Sequence, residues 1–256
     1  MKKIRKAIVI PDMQVPYHDE KAVKCVEKYM KDNKWDYYIN LGDFVDNFTI
    51  SKYNKDAPGL VEGKTVMNDL NQAKEILERQ LKIVRKNNSK VECYYLEGNH
   101  ERRAYDYVNK HPDLKGLIEP ENALKLKENG VKYLRSWSHN ENLKIGSATF
   151  THGRYATTHH AKKMVETFDG NVFYGHMHDT NAYNKTCLGD KDSKIGQSLG
   201  CLCEYPKEVD YTKGAPKNWQ QAVTTFYFMP DGTFTYYVSR IINGKFISPD
   251  GKVYEG

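Results

Sequence analysis

Five groups of residues with metal-binding side chains occur in the first 178 positions of the chain. Carboxylate, amide and imidazole ligands together suit manganese, iron or zinc, and no cysteine lies in these groups. Such residue types therefore indicate a site for transition-metal ions. The groups are Asp12 with Gln14, then Asp43, Asn99, His152, and finally His176 with His178.

Each group alone has an ordinary structural explanation. An aspartate at a strand end often caps a helix, and an isolated histidine often packs or hydrogen-bonds. Asn99 could be a turn residue that tolerates a left-handed backbone. What predicts a shared site is the occurrence of all five groups in this order, each after an apolar segment.

The segments that precede these groups are predicted strands over 4–10, 37–41, 91–96, 143–151 and 171–175. Ligands bind at the carboxyl edge of an open α/β sheet, so the five groups are expected at one edge. Glycine next to several of them lets the backbone approach an ion closely. The sequence thus predicts both the ligands and the edge that gathers them.

The remaining pattern predicts an α/β protein with more than one sheet. Helices are predicted over 20–32, about 62–87 and about 157–168, and a broken helical stretch over 101–130. Further strands are expected over 131–135, about 194–202, 221–229 and 233–242. We find no repeat or linker, so residues 1–256 are predicted to form one domain, in which a helical segment at about 55–130 partly caps the site.

Composition restricts the function further. The longest apolar runs are too short to span a bilayer, and no membrane partner is expected. The five cysteines are an odd number without framework-like spacing, and Cys201-x-Cys203 has no second pair after it, so free thiols in a reducing cytoplasm are predicted. The formal net charge of +6 favours an anionic partner.

A basic run near the end of the second predicted helix has two interpretations. Its cations could stabilise the negative end of the helix dipole, or they could contact nucleic acid. The sequence leaves both open. The residues are Arg79, Lys82, Arg85, Lys86 and Lys90.

The ordered motifs resemble the calcineurin-like metallophosphoesterase superfamily. They are Asp12-x-Gln14, Gly42-Asp43, Gly98-Asn99-His100-Glu101, His152 and Gly175-His176-x-His178. The segment 11–19 also resembles versions found in phosphoesterases encoded by bacteriophages. The resemblance implies a two-sheet mixed β-sandwich flanked by helices, with a dinuclear metal site at one edge.

The resemblance also implies roles. Asp43 would bridge two divalent ions, Asp12 and His178 would hold the first, and Asn99, His152 and His176 the second. His100 would stabilise or protonate the leaving oxygen, and Asp46 would orient the ligand shell. Mn²⁺ is the expected metal, with iron, zinc, nickel or magnesium as alternatives. Two cations about 4 Å apart can clamp a phosphoryl group and ionise a water.

Gln14 departs from the family pattern, which usually has histidine at this position. An amide oxygen is a weaker ligand than imidazole for transition metals. The first site is therefore expected to be looser, more selective for manganese, or sometimes empty.

Arg102, Arg103 and Arg154 follow the motifs closely and are candidate phosphate contacts; surface ion pairing is the alternative. Hydrolysis of phosphodiesters in DNA, RNA or nucleotides is the leading functional prediction. A phosphomonoesterase or phosphoprotein phosphatase, and a metal-binding module that has lost catalysis, are the alternatives. The sequence does not predict an oligomeric state.

Overall fold

A computed structural model describes residues 3–54, 58–189, 192–205 and 217–256. Residues 55–57, at the start of the predicted capping segment, lie outside the described part of the chain. The helices are α1 (Glu20–Asp32), α2 (Val66–Asn87), α3 (Asn99–Val108), α4 (Pro120–Ala123), α5 (Ser136–His139) and α6 (His160–Phe168). Among these described helices, none combines the length and apolar character needed to cross a bilayer.

The strands fall into two large sheets and one small ribbon. They are β1 (Arg5–Ile10), β2 (Tyr37–Asn40), β3 (Glu92–Leu96), β4 (Val131–Leu134), β5 (Leu143–Ile145), β6 (Ala148–Thr151), β7 (Asn171–Tyr174), β8 (Ala182–Lys185), β9 (Lys194–Ser198), β10 (Ala222–Phe228), β11 (Phe234–Arg240), β12 (Lys245–Ile247) and β13 (Val253–Glu255). The first sheet has the order β11-β10-β1-β2-β3-β4, and the second β5-β6-β7-β9-β8. Strands β12 and β13 form the ribbon.

Parallel pairing places the ends of the functional strands together. Strands β1 to β4 run parallel in the first sheet, and β6, β7 and β9 run parallel in the second. The other strands of both sheets pair antiparallel. The predicted mixed two-sheet architecture is therefore confirmed.

Side-chain alternation along β1 explains the layering. Ala7 and Val9 are buried against the second sheet, where Phe150 and Phe173 belong to the same core cluster. Ile8 and the residues that share its face pack against α1 and α2. On the outer side of the second sheet, α6 covers a smaller apolar cluster. Because successive side chains of a strand point to opposite faces, one strand serves two cores.

Several predicted elements have different bounds in the structure. The single strand predicted over 143–151 is a hairpin, because the chain turns at Gly146, whose φ is +56°. The strand predicted over 194–202 ends at Ser198, and the helix predicted from 157 begins at His160. The broken stretch 101–130 contains α3 and the short α4. The single-domain and capping assignments stay predictions.

Candidate metal centre

The predicted ligands converge at the carboxyl edge of the two sheets. Each follows the end of a strand, after β1, β2, β3, β6 or β7. Asp12 and His152 are completely buried, and Asp43 is 1% exposed. Since buried carboxylates require compensating positive charge, this edge is built to hold cations.

The first half-site consists of Asp12, Gln14 and His178. Nε2 of His178 lies 3.1 Å from Oδ2 of Asp12. Nε2 of Gln14 donates to Oδ2 of Asp43 at 3.2 Å and lies 3.5 Å from Nε2 of His178. Oε1 of Gln14 is buried and has no hydrogen-bond partner among the described residues. The amide is therefore inside the cluster with its oxygen still unused.

The second half-site consists of Asn99, His152 and His176. Nε2 of His152 lies 3.0 Å from Oδ1 of Asn99 and 3.3 Å from Oδ2 of Asp43. Nδ1 of His152 donates to the carbonyl of Leu41 at 2.9 Å. This bond places a proton on Nδ1, so Nε2 is the ring nitrogen that faces the site.

Asp43 lies between the two half-sites. Its Oδ2 is within reach of both Gln14 and His152, while its Oδ1 accepts from the backbone N–H of His100 at 2.8 Å. Ligand atoms of Asp43, His152 and His176 all lie within 4.8 Å of one another. A carboxylate in this position is suited to bridge two ions.

Close backbone approach at this edge requires glycine at two positions. A Cβ added to Gly98 would lie 2.1 Å from Oδ1 of Asp43, and one at Gly175 would lie 2.0 Å from Oδ1 of Asp12. Asp43 itself adopts a left-handed backbone with φ of +48°. Conformations of this kind cost free energy and are held only by surrounding structure, which is typical of functional sites.

Electrostatic coupling between the ligands is strong. Burial lowers the pKa of His152, but the Asp43 carboxylate outweighs it and raises the pKa to about 10. Burial also lowers the pKa of His178, but its contact with Asp12 outweighs burial and raises the pKa to about 9. Burial and the charge of His152 lower the pKa of His176 to about 4. Burial opposes ionisation of Asp43, yet His100 and His152 hold its pKa well below the usual range.

This donor set fits two divalent cations. It supplies two buried carboxylates, three imidazoles, the Asn99 amide and the unused oxygen of Gln14. Nδ1 of His176 is likewise buried without a partner among the described residues. Mixed oxygen and nitrogen donors of this kind suit transition metals such as manganese, iron or zinc.

His100 is held by Asp46 rather than by the ligand cluster alone. Its Nδ1 lies 3.0 Å from the carbonyl oxygen and 3.3 Å from the carboxylate of Asp46. Since a carbonyl can only accept, Nδ1 carries a proton and Nε2 faces Asp43 at 3.7 Å. The hydroxyl of Tyr205 also donates to the Asp46 carboxylate. Asp46 thus orients His100, whereas the sequence suggested that it orients the ligand shell.

The three candidate phosphate contacts are in different environments. Arg103 donates to Oδ1 of Asp46 at 3.1 Å and lies 3.1 Å from Nε2 of His100. Arg102 pairs with Asp106 at 2.9 Å on α3. Arg154 is half-buried in the loop after β6. Arg102 and Arg103 line the groove that leads from the centre, and Arg154 is not among its described lining residues.

Several residues that support the centre were missed by sequence reasoning. The Glu101 carboxylate accepts from the backbone of Asp43 at 2.7 Å, of Phe44 at 2.8 Å and of Gly98 at 2.9 Å. It therefore ties the loop after β2 to the start of α3. The position of Glu101 directly after Asn99 and His100 could have indicated this supporting role from the sequence. The ring of Trp137 lies 5.2 Å from that of His176, and no sequence pattern indicates this contact.

The thiols of Cys201 and Cys203 lie behind the first half-site. Sγ of Cys203 is 3.8 Å from Nδ1 of His178, and Cys201 pairs with Asp12 in a parallel bridge. All five cysteines are free, as predicted. No second Cys or His pair follows Cys203 in the sequence, so the sequence alone gave these thiols no metal-binding partner. The neighbouring histidine is upstream and comes close only in the fold.

The basic run of α2 is partly engaged within the protein. Arg79 pairs with Glu27 at 2.9 Å, and Arg85 donates to the carbonyl oxygen of Asn129. These contacts favour a structural role for at least these two cations over a nucleic-acid surface.

The chain is similar to several known proteins. The chain is 28% identical to the gene 54 proteins of Mycobacterium phages D29 and L5, over 98% of its length and 99% of theirs. Among solved structures, vacuolar protein sorting 29 from Cryptosporidium parvum is similar, with 15% identity, coverage of 99% of this chain and 97% of that one, and a TM-score of 0.49. The family model for calcineurin-like phosphoesterases matches residues 5–195. The chain therefore belongs to the calcineurin-like phosphoesterase family.

Proposed function

We propose that this protein is a dinuclear metal-dependent phosphodiesterase that acts on nucleic acid or nucleotides. The observation that carries the proposal is the convergence of both half-sites next to His100, together with the basic groove whose inner end is lined by Asn99 and His176 of the second half-site. Asp12, Gln14 and His178 would hold one ion, Asn99, His152 and His176 the other, and Asp43 both. Mn²⁺ is the proposed metal because it accepts carboxylate, amide and imidazole ligands together. When bound, such a pair polarises the phosphoryl group and activates water.

The residues around His100 are arranged for proton exchange at Nε2. Asp46 holds the proton on Nδ1, which leaves Nε2 directed at the cluster. The ring of His100 faces the carboxylates of Asp46 on the Nδ1 side and of Asp43 on the Nε2 side. When Nε2 is protonated, His100 can donate this proton to a leaving oxygen. Arg103, next to Nε2, would stabilise negative charge on the same oxygen.

A phosphodiester fits the surroundings better than a monoester. A small phosphomonoester extends beyond its phosphate on one side only, whereas here a groove of about 770 Å³ continues past Asn99 and His176 along α3. A diester substrate extends beyond its phosphate on both sides and can use this space. A module without catalysis would have no use for the Asp46–His100 arrangement.

The test is turnover of bis(p-nitrophenyl) phosphate by chelator-treated protein to which Mn²⁺, Mg²⁺ or Zn²⁺ is added back. We expect turnover with Mn²⁺. On a dithymidine diester, whose alkoxide leaving group has to be protonated, His100→Ala should lower kcat by about 10² to 10⁴, since this is the usual contribution of a general acid. The control is His159→Ala, an exposed histidine at the start of α6, which should retain full activity.

Two results would overturn the proposal. The first is folded protein that binds Mn²⁺ stoichiometrically and hydrolyses no phosphodiester. The second is a clear preference for p-nitrophenyl phosphate over its bis ester, which would support the monoesterase instead. If kcat on the dithymidine diester is unchanged in His100→Ala, His100 does not act as the general acid.

A further inference from the structure

The groove that begins at the second half-site continues well beyond it. Asn99, His176 and Trp137 line its inner end. From there it follows α3 to His111 on one side, and on the other the short 3-10 turns Phe48–Ile50, Lys52–Asn54 and Pro58–Val61. A ligand in the groove would therefore keep one end at the metal centre.

Basic residues outnumber acidic ones in the described lining of the groove, although Arg103 is paired with the Asp46 carboxylate. This lining contains four cations but a single acid, Asp106, whose carboxylate is paired with Arg102. The cations are Lys52, Arg102, Arg103 and Lys110. Because they extend from the metal centre outward, they suit a chain of negative charges rather than a single phosphate.

Aromatic rings alternate with these cations. Tyr53 is 76% exposed, which is unusual for so large a side chain, and the Lys52 ammonium lies 5.2 Å from its ring centroid. Farther along α3, Tyr107 stacks on His111 with centroids 4.2 Å apart and an interplanar angle of 27°. Together with Trp137 at the inner end, these rings offer flat apolar faces along the groove.

We infer that this groove binds a single-stranded nucleic acid segment whose scissile phosphate lies at the metal centre. Backbone phosphates would pair with the cations, and unpaired bases would stack on Tyr53 and on the Tyr107–His111 pair. In a duplex the base faces are covered by their neighbours, so it could use only the cations. A phosphopeptide brings one strong charge and no row of π faces. This inference rests on the proposed phosphodiesterase activity and specifies its substrate class.

The test measures binding of a fluorescein-labelled dodecathymidylate by anisotropy, in chelator so that no hydrolysis occurs. Base stacking on one ring contributes about 1–3 kcal/mol, so Tyr53→Ala should raise Kd by about fivefold to 150-fold, and Tyr53→Phe should restore binding. Lys110→Gln should reduce the dependence of log K on log salt by about one. Controls are Tyr237→Ala and Lys144→Gln, exposed residues of β11 and β5, which should bind as the wild type does.

Competition identifies the substrate class. We expect unlabelled single strand to displace the probe at much lower concentration than a duplex of the same sequence or a phosphoserine peptide. Equal competition by duplex, or no effect of Tyr53→Ala, overturns the single-strand assignment, and preferential displacement by the peptide replaces it with a protein substrate.

The two proposals fail separately. Manganese-dependent turnover of the small diester without oligonucleotide binding overturns only the groove assignment. Oligonucleotide binding that depends on Tyr53, without turnover of any ester, overturns the proposed function and leaves the groove assignment standing.

Discussion

The two half-sites of the centre share Asp43 but are built differently. In the second half-site both ring nitrogens of His152 are fixed, one by the Leu41 carbonyl at 2.9 Å and one beside Asn99 at 3.0 Å. In the first, the amide of Gln14 lies between Asp43 and His178, and its oxygen has no hydrogen-bond partner among the described residues. The second half-site is preorganised, whereas the first has to reorient an amide when an ion binds.

Residues behind the ligands differ as well. In the second half-site the backbone carbonyl of Leu41 accepts a hydrogen bond from His152. This bond makes His152 a stronger ligand. Behind His178 there is instead the thiol of Cys203, at 3.8 Å, and thiols are weak hydrogen-bonding groups. Two half-sites that share one carboxylate can therefore differ in their affinity for metal ions. We expect the second half-site to fill first.

The largest effect is expected from removing the shared carboxylate. Asp43→Asn should lower kcat on the bis ester by about a thousandfold, because several kcal/mol of metal-dependent stabilisation is lost. It should also reduce the bound Mn²⁺ at both half-sites, measured by elemental analysis after desalting. Asp113→Asn, an exposed aspartate outside the centre, is the control. Two retained ions would show that Asp43 does not bridge.

A smaller effect should come from exchanging ligands between the half-sites. Gln14→His supplies imidazole where the chain has an amide, and should lower the Zn²⁺ or Mn²⁺ concentration for half-maximal activity about tenfold, more for Zn²⁺. His152→Gln should weaken the tighter ion by a similar factor. Calorimetric titration of the metal separates the two binding steps. If Gln14→His leaves the weaker step unchanged, the difference between the half-sites does not arise from Gln14.

The positions of the ligands could be predicted because strand ends have a clear sequence signal. Apolar runs before Asp12, Asp43 and Asn99 predict parallel strands, and parallel strands bring their carboxyl ends to one edge. The residues that orient the ligands had no such signal. Tyr205 reaches Asp46 across 159 positions, and Cys203 reaches His178 across 25. Contacts of this kind depend on how the two sheets pack, which local periodicity does not encode.

The predicted bounds of strands were wrong where a turn has no strong sequence signal. Residues 143–151 alternate well enough to predict one strand, yet the chain turns at Gly146. The groove was also beyond prediction. Tyr53 and His111 are far apart in sequence and lie in segments without a clear pattern, so only the fold shows that both line it.

The smallest effect concerns negative charge on the flank of the first half-site. Asp69, in the first turn of α2, is 8% exposed. Burial and the nearby Asp46 carboxylate raise the pKa of Asp69 to about 6. Tyr17, which packs beside Cys203 and Tyr205, feels the charge of both aspartates. This flank therefore carries a carboxylate that destabilises the fold when it is ionised.

Asp69→Asn removes that cost and should stabilise the protein at neutral pH. In the unfolded chain aspartate titrates near 3.9, below the value of about 6 in the folded protein. The folded state thus binds more protons between these values, so wild-type stability falls as pH rises through this window. A pKa difference of this size corresponds to about 3 kcal/mol. The gain from Asp69→Asn should therefore be fully present above pH 7 and absent below pH 4.

Urea unfolding in chelator, at several pH values between 4 and 8, measures this difference free of metal binding. Asp113→Asn serves as the control and should differ from the wild type by an amount that does not change with pH. A constant difference for Asp69→Asn as well would mean that Asp69 ionises as freely in the folded protein as in the unfolded chain. The flank of the first half-site would then carry no electrostatic cost.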